Sequence, residues 1–503
     1  MSKSTATPQN KTSTEVQKFT GDMVWVTVSQ AIAHLTSLII LPALTKSYPA
    51  ETYGAWVQVG VTVGLMSTIL ALHLETAIVR FLAAEDNIEK RRHAFGAMLW
   101  PIIAFAGIIL ILSLLFRQNL SMFLFDKTEY NYLVPLAFLW ASMNALFSFS
   151  LSYLRAMGKI KRLSIIQLSS LIVQMTIIVM MAVREYSLGW IAASIIASEA
   201  LFVAFVFGLI TKEIGLPKPS LKGLVGYLAF SIPQIPSGIL LWVISASDRY
   251  FITRLLNLSQ TGIYSASYSL GSLVTFFYKP ITFVLFPTVS RLWEQNKLPG
   301  VRSYLEYSTR LFLALAIPAA VGLYILSQPL LRMLTTPDYM VGGSLVLVVA
   351  LGAIFHGIYQ INVYVVLLVK QTKWLPLMIA VAAITNAGLN LVLIPRVGIM
   401  GAAISTIVSY FVLAAIVTIW ARRTISYKID VKFLAKVIAA ALLMAICLSL
   451  IKIDGILGII MAVVAGGITY ALGLFLFRAF SRHDIELIKE IITGLKSQIR
   501  PQK

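Results

Sequence analysis

Eight ionisable side chains lie inside or at the ends of long apolar runs, and they set the chemistry available to the chain. The cations are Lys279, Arg249, Arg254, Arg310 and Arg80; the acids are Glu75, Asp248 and Glu199. Charge within a lipid-facing run is costly, so such residues are functional candidates by default. An Arg fork bonds two phosphate oxygens at once and a Lys supplies a movable point charge, so the cations suit a cavity for an anionic head group. The acids are placed to sense an ion gradient. Gln30, His34, Asn144, Gln174, Asn362, Asn386 and Asn390 add polar lining able to meet hydroxyls. Each also has a plainer reading: Lys279 can snorkel to an interface, Arg80 and Arg310 sit where topology alone asks for cations, and Asp248 and Arg249 can pair. Glu75 can neutralise Arg80 or His73, Glu199 can pair across helices, and the His34 ring can be packed and hydrogen-bonded.

Covalent chemistry has no foothold. There is no P-loop, no His-Glu-x-x-His, no paired-glycine dinucleotide fingerprint and no Asp-x-Asp. The five histidines have no ligand spacing, and one cysteine, Cys447, excludes an internal disulfide framework and any multi-cysteine metal site. The expectation is no cofactor, no metal and no catalytic residue.

The elements that carry these residues follow from composition. The 503 residues are 58% hydrophobic and 12% charged, against roughly 45–50% and about 25% in soluble domains. A membrane-crossing helix needs roughly 20 apolar residues, and the runs are continuous, not alternating, so the expected fold is an all-α polytopic membrane protein. Fourteen spans are expected: Asp22–Lys46, Tyr53–Val79, Ala94–Phe116, Asn131–Ala156, Leu163–Val183, Trp190–Thr211, Gly223–Ser247, Gly262–Pro287, Ser308–Leu326, Val341–Val369, Trp374–Ile394, Gly398–Trp420, Phe433–Ile451 and Gly455–Phe477. Residues 1–21 read as a polar tail without a signal-peptide core. The expected organisation is a six-helix lobe over 22–211, a linker at 212–222, a second lobe over 223–421, two extra helices at 433–478 and a basic tail at 479–503.

Positive charge orients this topology. With the N-terminus inside, 32 of the 41 Lys and Arg fall in cytoplasmic segments and nine outside, so both termini are expected in the cytoplasm. The +20 net charge is thereby spread over many short loops, and no basic stripe with interleaved aromatics remains for nucleic acid.

The halves also look repeated. Pro42–Trp56 (PALTKSYPAETYGAW) and Phe251–Ala266 (FITRLLNLSQTGIYSA) each close a loop on a Gly/Tyr pair, and Lys159–Ser194 parallels Lys370–Ser405 at a similar separation. Six spans per half make these parallel repeats, two bundles able to rock about a central cleft. Pro233 and Pro236 break the backbone ladder of the seventh span and make it a candidate gating kink.

The passage Ser231–Pro287 resembles the seventh and eighth helices of bacterial polysaccharide and O-antigen flippases, within the multidrug/oligosaccharidyl-lipid/polysaccharide exporter superfamily. The resemblance rests on its Pro-rich helix, Ser247-Asp248-Arg249-Tyr250 and Gly262-Ile263-Tyr264, with Glu51-Thr52-Tyr53-Gly54 similar to the family's opening. It implies alternating-access export of an undecaprenyl-pyrophosphate-linked oligosaccharide (an O-antigen, capsule or exopolysaccharide unit of lipopolysaccharide-type biosynthesis) across the bacterial cytoplasmic membrane, beside polymerase and chain-length partners. The two extra helices are similar to the fourteen-helix lipid II flippase of that superfamily. A multidrug antiporter of the same superfamily would want an acidic cavity, whereas the candidates here lean cationic; a polymerase or acyltransferase would need a large outer loop.

Overall fold

The computed structural model describes residue 32 and residues 36–427, 430–451 and 453–479. Gln30 and His34, with most of the expected first span, lie outside them. The helical residues 36–47 form α1. The first half continues with α2 (Ala50–Leu70), α3 (Leu74–Leu82), α4 (Ile88–Leu115), α5 (Arg117–Phe125), α6 (Leu133–Ala156), α7 (Ile160–Val183) and α8 (Leu188–Ile214). The second half comprises α9 (Leu224–Ser231), α10 (Ile235–Ala246), α11 (Asp248–Leu255), α12 (Leu258–Gly271), α13 (Tyr278–Glu294), α14 (Leu298–Leu334), α15 (Gly343–Leu368), α16 (Leu375–Val397) and α17 (Ile399–Thr424), followed by α18 (Val431–Ser449) and α19 (Gly455–Leu476).

Among the described residues, thirteen helices are long and apolar enough to cross a membrane. They coincide with the thirteen expected spans after the first, and the protein is an all-α, multi-pass membrane protein. Boundaries differ where polar chemistry intervenes. The second span ends at Leu70; Leu72 and His73 take left-handed backbone, both at φ 51°, and α3 restarts as a separate short helix. The eighth and ninth spans run 37 residues each, Leu258–Glu294 and Leu298–Leu334. At 1.5 Å per residue each is about 55 Å long, well beyond a hydrocarbon core of about 30 Å. Side-chain caps fix three helix starts: Asn87, Asn257 and Asp430 accept from the backbone N–H groups of Lys90, Gln260 and Phe433.

Packing sorts the helices into sets. One apolar cluster joins α2, α6 and α8 through Val59, Ala141 and Ile195, and another joins α3, α4, α6 and α8 through Ile78, Phe95, Phe149 and Val206. In the second half, α10, α15, α16 and α17 share a cluster around Ile244, Tyr359, Met378 and Leu413. The last two helices dock on α14: Leu326 packs with Met444, Leu448 and Ala462, and Tyr470 donates to the Ala314 carbonyl at 2.7 Å.

The seventh span straddles the two sets. Its first part, α9, lays Tyr227, Leu228 and Phe230 on the first-half cluster, whereas α10 belongs to the second-half cluster. Between them the chain runs as a 3₁₀ turn, Ile232–Gln234, with Pro233 in that turn and Pro236 opening α10. Proline removes backbone donors at this break.

Loops with few Lys and Arg gather at one end of the bundle. There Glu51 accepts from Lys127 at 2.6 Å and from the Tyr130 hydroxyl at 3.3 Å, and Tyr48 donates to the Tyr186 carbonyl at 2.5 Å. The Glu51 carboxylate holds the Lys127 ammonium above its ordinary pKa, chiefly through that hydrogen bond. At the Lys/Arg-rich end, Lys159 meets Glu213 at 2.5 Å and Arg310 meets Asp430 at 3.0 Å.

Candidate functional site

The halves touch most closely at the Lys/Arg-poor end, on the glycines of the two Gly/Tyr loops. A Cβ on Gly54 would lie 1.9 Å from the Leu258 carbonyl oxygen, and one on Gly262 would lie 2.3 Å from that of Ala50. Only glycine permits α2 and α12 to approach this way, backbone on backbone. Around that contact, Thr62 and Tyr250 share a hydrogen bond at 2.7 Å, Arg254 pairs with Asp126, Thr45 donates to the Leu334 carbonyl at 2.9 Å, and the rings of Tyr53 and Tyr339 stand 5.9 Å apart. This end is shut.

Behind it lies a buried charge cluster. Asp248 is 0% exposed and Arg249 7%. The Arg249 guanidinium donates to Asp248 at 2.6 Å and to the Ser245 carbonyl at 2.9 Å, and lies 3.9 Å over the Tyr268 ring and 5.2 Å over that of Tyr264. The Tyr264 hydroxyl donates to the other Asp248 oxygen. Of the two roles open to Arg249, cavity cation or partner of Asp248, the structure shows the pairing: a satisfied ion pair in an aromatic cage, the arrangement that makes a buried pair tolerable. The cage tyrosines lie about two and three turns after Asn257; Tyr264 belongs to the Gly262-Ile263-Tyr264 motif, whereas Tyr268 carries no sequence signal beyond its type.

The other expected cavity cations are dispersed. Arg254 is largely exposed on the rim with Asp126. Arg310 lies three turns inside α14, not at its start, and turns to Asp430 and the Phe433 ring of the extra helices. Arg80 is exposed, 5.0 Å over the Phe230 ring of α9. Lys279 differs. It is half-buried near the start of α13, next to Tyr278, whose ring meets His356 at 5.3 Å. Fifteen residues separate it from Glu294, about 22 Å of helix. Glu294 lies on the polar extension of this helix beyond the apolar stretch, so Lys279 stands well inside the helix, half-buried.

The acids also separate. Glu75 opens α3 with His73 at 3.4 Å. Glu199, 0% exposed, accepts from the Asn144 amide at 3.0 Å. Among the polar candidates, Gln174 contacts Ser170 at 3.3 Å on its own helix. Asn362 is 1% exposed and spent on the Ile358 carbonyl and the Tyr427 hydroxyl, so it ties the segment after α17 to α15 and lines no opening. Asn386 and Asn390 are 0% exposed and bonded to each other at 3.0 Å. They too are enclosed, because α16 packs this face against α10 and α17. An apolar groove of about 640 Å³ opens among α14, α18, α19 and the segment before α13 (Leu273, Phe276, Phe277), lined also by Pro318, Gly322, Gly466 and Tyr470.

Residues 49–341 match the family described as polysaccharide biosynthesis protein. The chain belongs to that family. Among curated relatives of this family member, the probable low-salt glycan biosynthesis flippase Agl15 of Haloferax volcanii is 23% identical over 46% of the chain, and the match spans 48% of that protein, about half its length. The probable flippase AglR of the same organism is 23% identical over 68% of the chain and 71% of its own. In fold, the chain is similar to the lipid II flippase MurJ in an inward closed conformation, with a TM-score of 0.77 and 16% identity over 90% of this chain and 98% of that one. An inward-facing multidrug resistance transporter of the MATE family aligns at a TM-score of 0.66 and 12% identity over 80% and 98% of the respective chains.

Proposed function

We propose that the protein is a transporter, not an enzyme, that flips a polyprenyl-pyrophosphate-linked oligosaccharide across a membrane by alternating access between two six-helix lobes, 22–211 and 223–421. The observation that carries this reading is the closure of the lobes at one end, on repeat-equivalent Gly54 and Gly262, with the half-buried cation Lys279 farther along the helical span that begins at Leu258. An alternating-access machine needs a contact surface that can part without breaking a core. A pyrophosphate head needs cationic partners away from bulk water. The family match and the flippase names of Agl15 and AglR support the cargo class. The sugar faces find tyrosine and histidine rings around Lys279, and the prenyl chain finds the apolar groove beside α14, α18 and α19. The break at Pro233 and Pro236 serves as the hinge, since its two sides are held by different lobes. The bias of Lys and Arg toward one set of loops supports cytoplasmic termini, and a polymerase and chain-length proteins would receive the product.

Native mass spectrometry of the detergent-solubilised chain with a polyprenyl-pyrophosphate oligosaccharide tests the cargo. Binding that survives competition by the same prenyl monophosphate without sugar, and that weakens at least tenfold in Lys279→Gln, supports the reading. Equal binding by Lys279→Gln removes that residue from the site. Robust efflux of ethidium-like cations by the intact protein would favour the multidrug antiporter, and exclusive binding of lipid II would make it a peptidoglycan-precursor flippase.

A further inference from the structure

The three buried or half-buried acids of the apolar spans differ in what faces them, and that difference singles out one. Asp248 is neutralised by Arg249 and bonded by Tyr264. Glu75 has His73 at 3.4 Å. Glu199 has no ion-pair partner among the described residues. One carboxylate oxygen, Oε1, accepts from the Asn144 amide at 3.0 Å, and the other, Oε2, is buried without a hydrogen-bond partner.

Along its own helix its neighbours are apolar. One turn before Glu199, Ile195 belongs to the α2/α6/α8 cluster; one turn after, Phe202 and Val203 pack on the α3/α4/α6/α8 cluster. From α6 the facing groups are Trp140 and Asn144, neither of which titrates. The charged side chains of the packed helices lie at their ends. Arg155 of α6 is eleven residues beyond Asn144, and Lys212 and Glu213 of α8 are thirteen and fourteen beyond Glu199, about 16–21 Å along the helices. Lys161 and Arg162 open α7, and Glu89 to His93 open α4. Burial away from water and cations penalises the charged form of such a carboxyl. Nor is the site built for a metal cation: the amide contributes an N–H toward the carboxyl, where a metal would need several oxygens.

One face of α6 opens outward beside this pair. Trp140 and Asn144 are half-buried and Ser148, one turn further, is exposed, while Ser152 on the next turn is buried. Glu199 thus sits one hydrogen bond behind Asn144, with Ser148 the next polar group on that face.

We propose that Glu199 is the proton site of the first lobe: it takes up one proton on Oε2 from water admitted on the Ser148 side of α6 and returns it, as the carboxylate, when lobe movement admits water beside Asn144. Coupling transport to a proton gradient through this residue rests on the transporter reading above; the proton site itself does not. The step makes and breaks a single O–H bond and needs no co-reactant other than water.

The test uses the full chain reconstituted in vesicles of bacterial lipid. Glu199 should be modified by a hydrophobic carbodiimide, which requires a protonated carboxyl in an apolar setting, with modification falling as pH rises, and the infrared carboxylic C=O stretch of the protein should lose one component in Glu199→Gln. In the flipping assay, the ratio of rates with and without an inward-directed pH gradient should fall to one in Glu199→Gln, whatever the absolute rate, while Glu199→Asp keeps a ratio above one with a displaced pH profile. Asn144→Leu should displace the carbodiimide pH profile without moving the label to another residue. An unlabelled Glu199 with no infrared component overturns the proton site, and an unchanged gradient ratio in Glu199→Gln overturns the coupling role. Correct Glu199 labelling in a chain that flips no lipid-linked glycan would leave the proton site standing and remove the transporter reading.

Discussion

Substituting Gly54 by alanine tests whether the glycine contact holds the Lys/Arg-poor end shut. The new Cβ would lie 1.9 Å from the Leu258 carbonyl oxygen, where ordinary contact begins at 3.4 Å, so α2 and α12 must part by about 1.5 Å. The obstacle is backbone, not the yielding tip of a side chain. Overpacking of this kind costs about 1–3 kcal/mol, and the cost falls on the state in which these ends touch. A shift of that size corresponds to roughly 5–150-fold in the ratio of open to closed forms. Spin labels at exposed Phe123 and Leu255, in a background with Cys447 replaced by serine, report the separation of α5 and α11 across this end by double electron–electron resonance. The parent should show one short distance; Gly54→Ala should add a longer population, and Gly262→Ala should do the same, since its Cβ would meet the Ala50 carbonyl at 2.3 Å. An unchanged distribution in well-folded Gly54→Ala would refute the argument that this contact sets the closed state.

Further outcomes follow from the same geometry. Arg249→Met leaves Asp248 buried without its cation and should cost about 3–5 kcal/mol of stability, read as a large fall in thermal unfolding temperature in detergent; adding Asp248→Asn should recover part of it. Asp126→Asn breaks an exposed pair and should cost no more than about 1 kcal/mol on the same measurement. Replacing Pro233 and Pro236 together by alanine should restore backbone donors and raise the hydrogen-exchange protection of residues 232–238, with slower flipping if the break is the hinge. Arg310→Ala should loosen α18 at its Asp430 cap, seen as faster exchange over 431–436, while leaving the first half unaffected.

Much of the scaffold was legible because long apolar runs announce themselves by composition, and thirteen spans appear where hydropathy put them. Helix ends were less so. The break at Leu72 and His73 has no glycine or proline to mark it, and the rich-end extensions of α13 and α14 are polar enough to look like loops. The site was legible by residue type but not by partner. Helices that are apolar all round carry no stripe to say which way a side chain faces, so the Asp248–Arg249 pair was legible as one of two roles while the Tyr268 ring that covers it was not, and Asn362 looked like a lining residue until Tyr427, 65 positions away, was found bonded to it. Glu199 has no charged neighbour within its own expected span, 190–211, and the fold extends that isolation to the helices around it. The glycine contact was visible only as a repeat; its backbone proximity is a property of two segments 208 positions apart, Gly54 and Gly262.

The central claim is transport of a lipid-linked glycan by this chain alone. Vesicles containing the purified protein and a fluorescent polyprenyl-pyrophosphate oligosaccharide, exposed to an impermeant glycosidase, measure it directly. The account predicts that the enzyme consumes the whole pool, inner leaflet included, at a rate that falls in Lys279→Gln. Consumption that stops at the outer-leaflet fraction, as in protein-free vesicles, while the reconstituted protein remains folded, would contradict it.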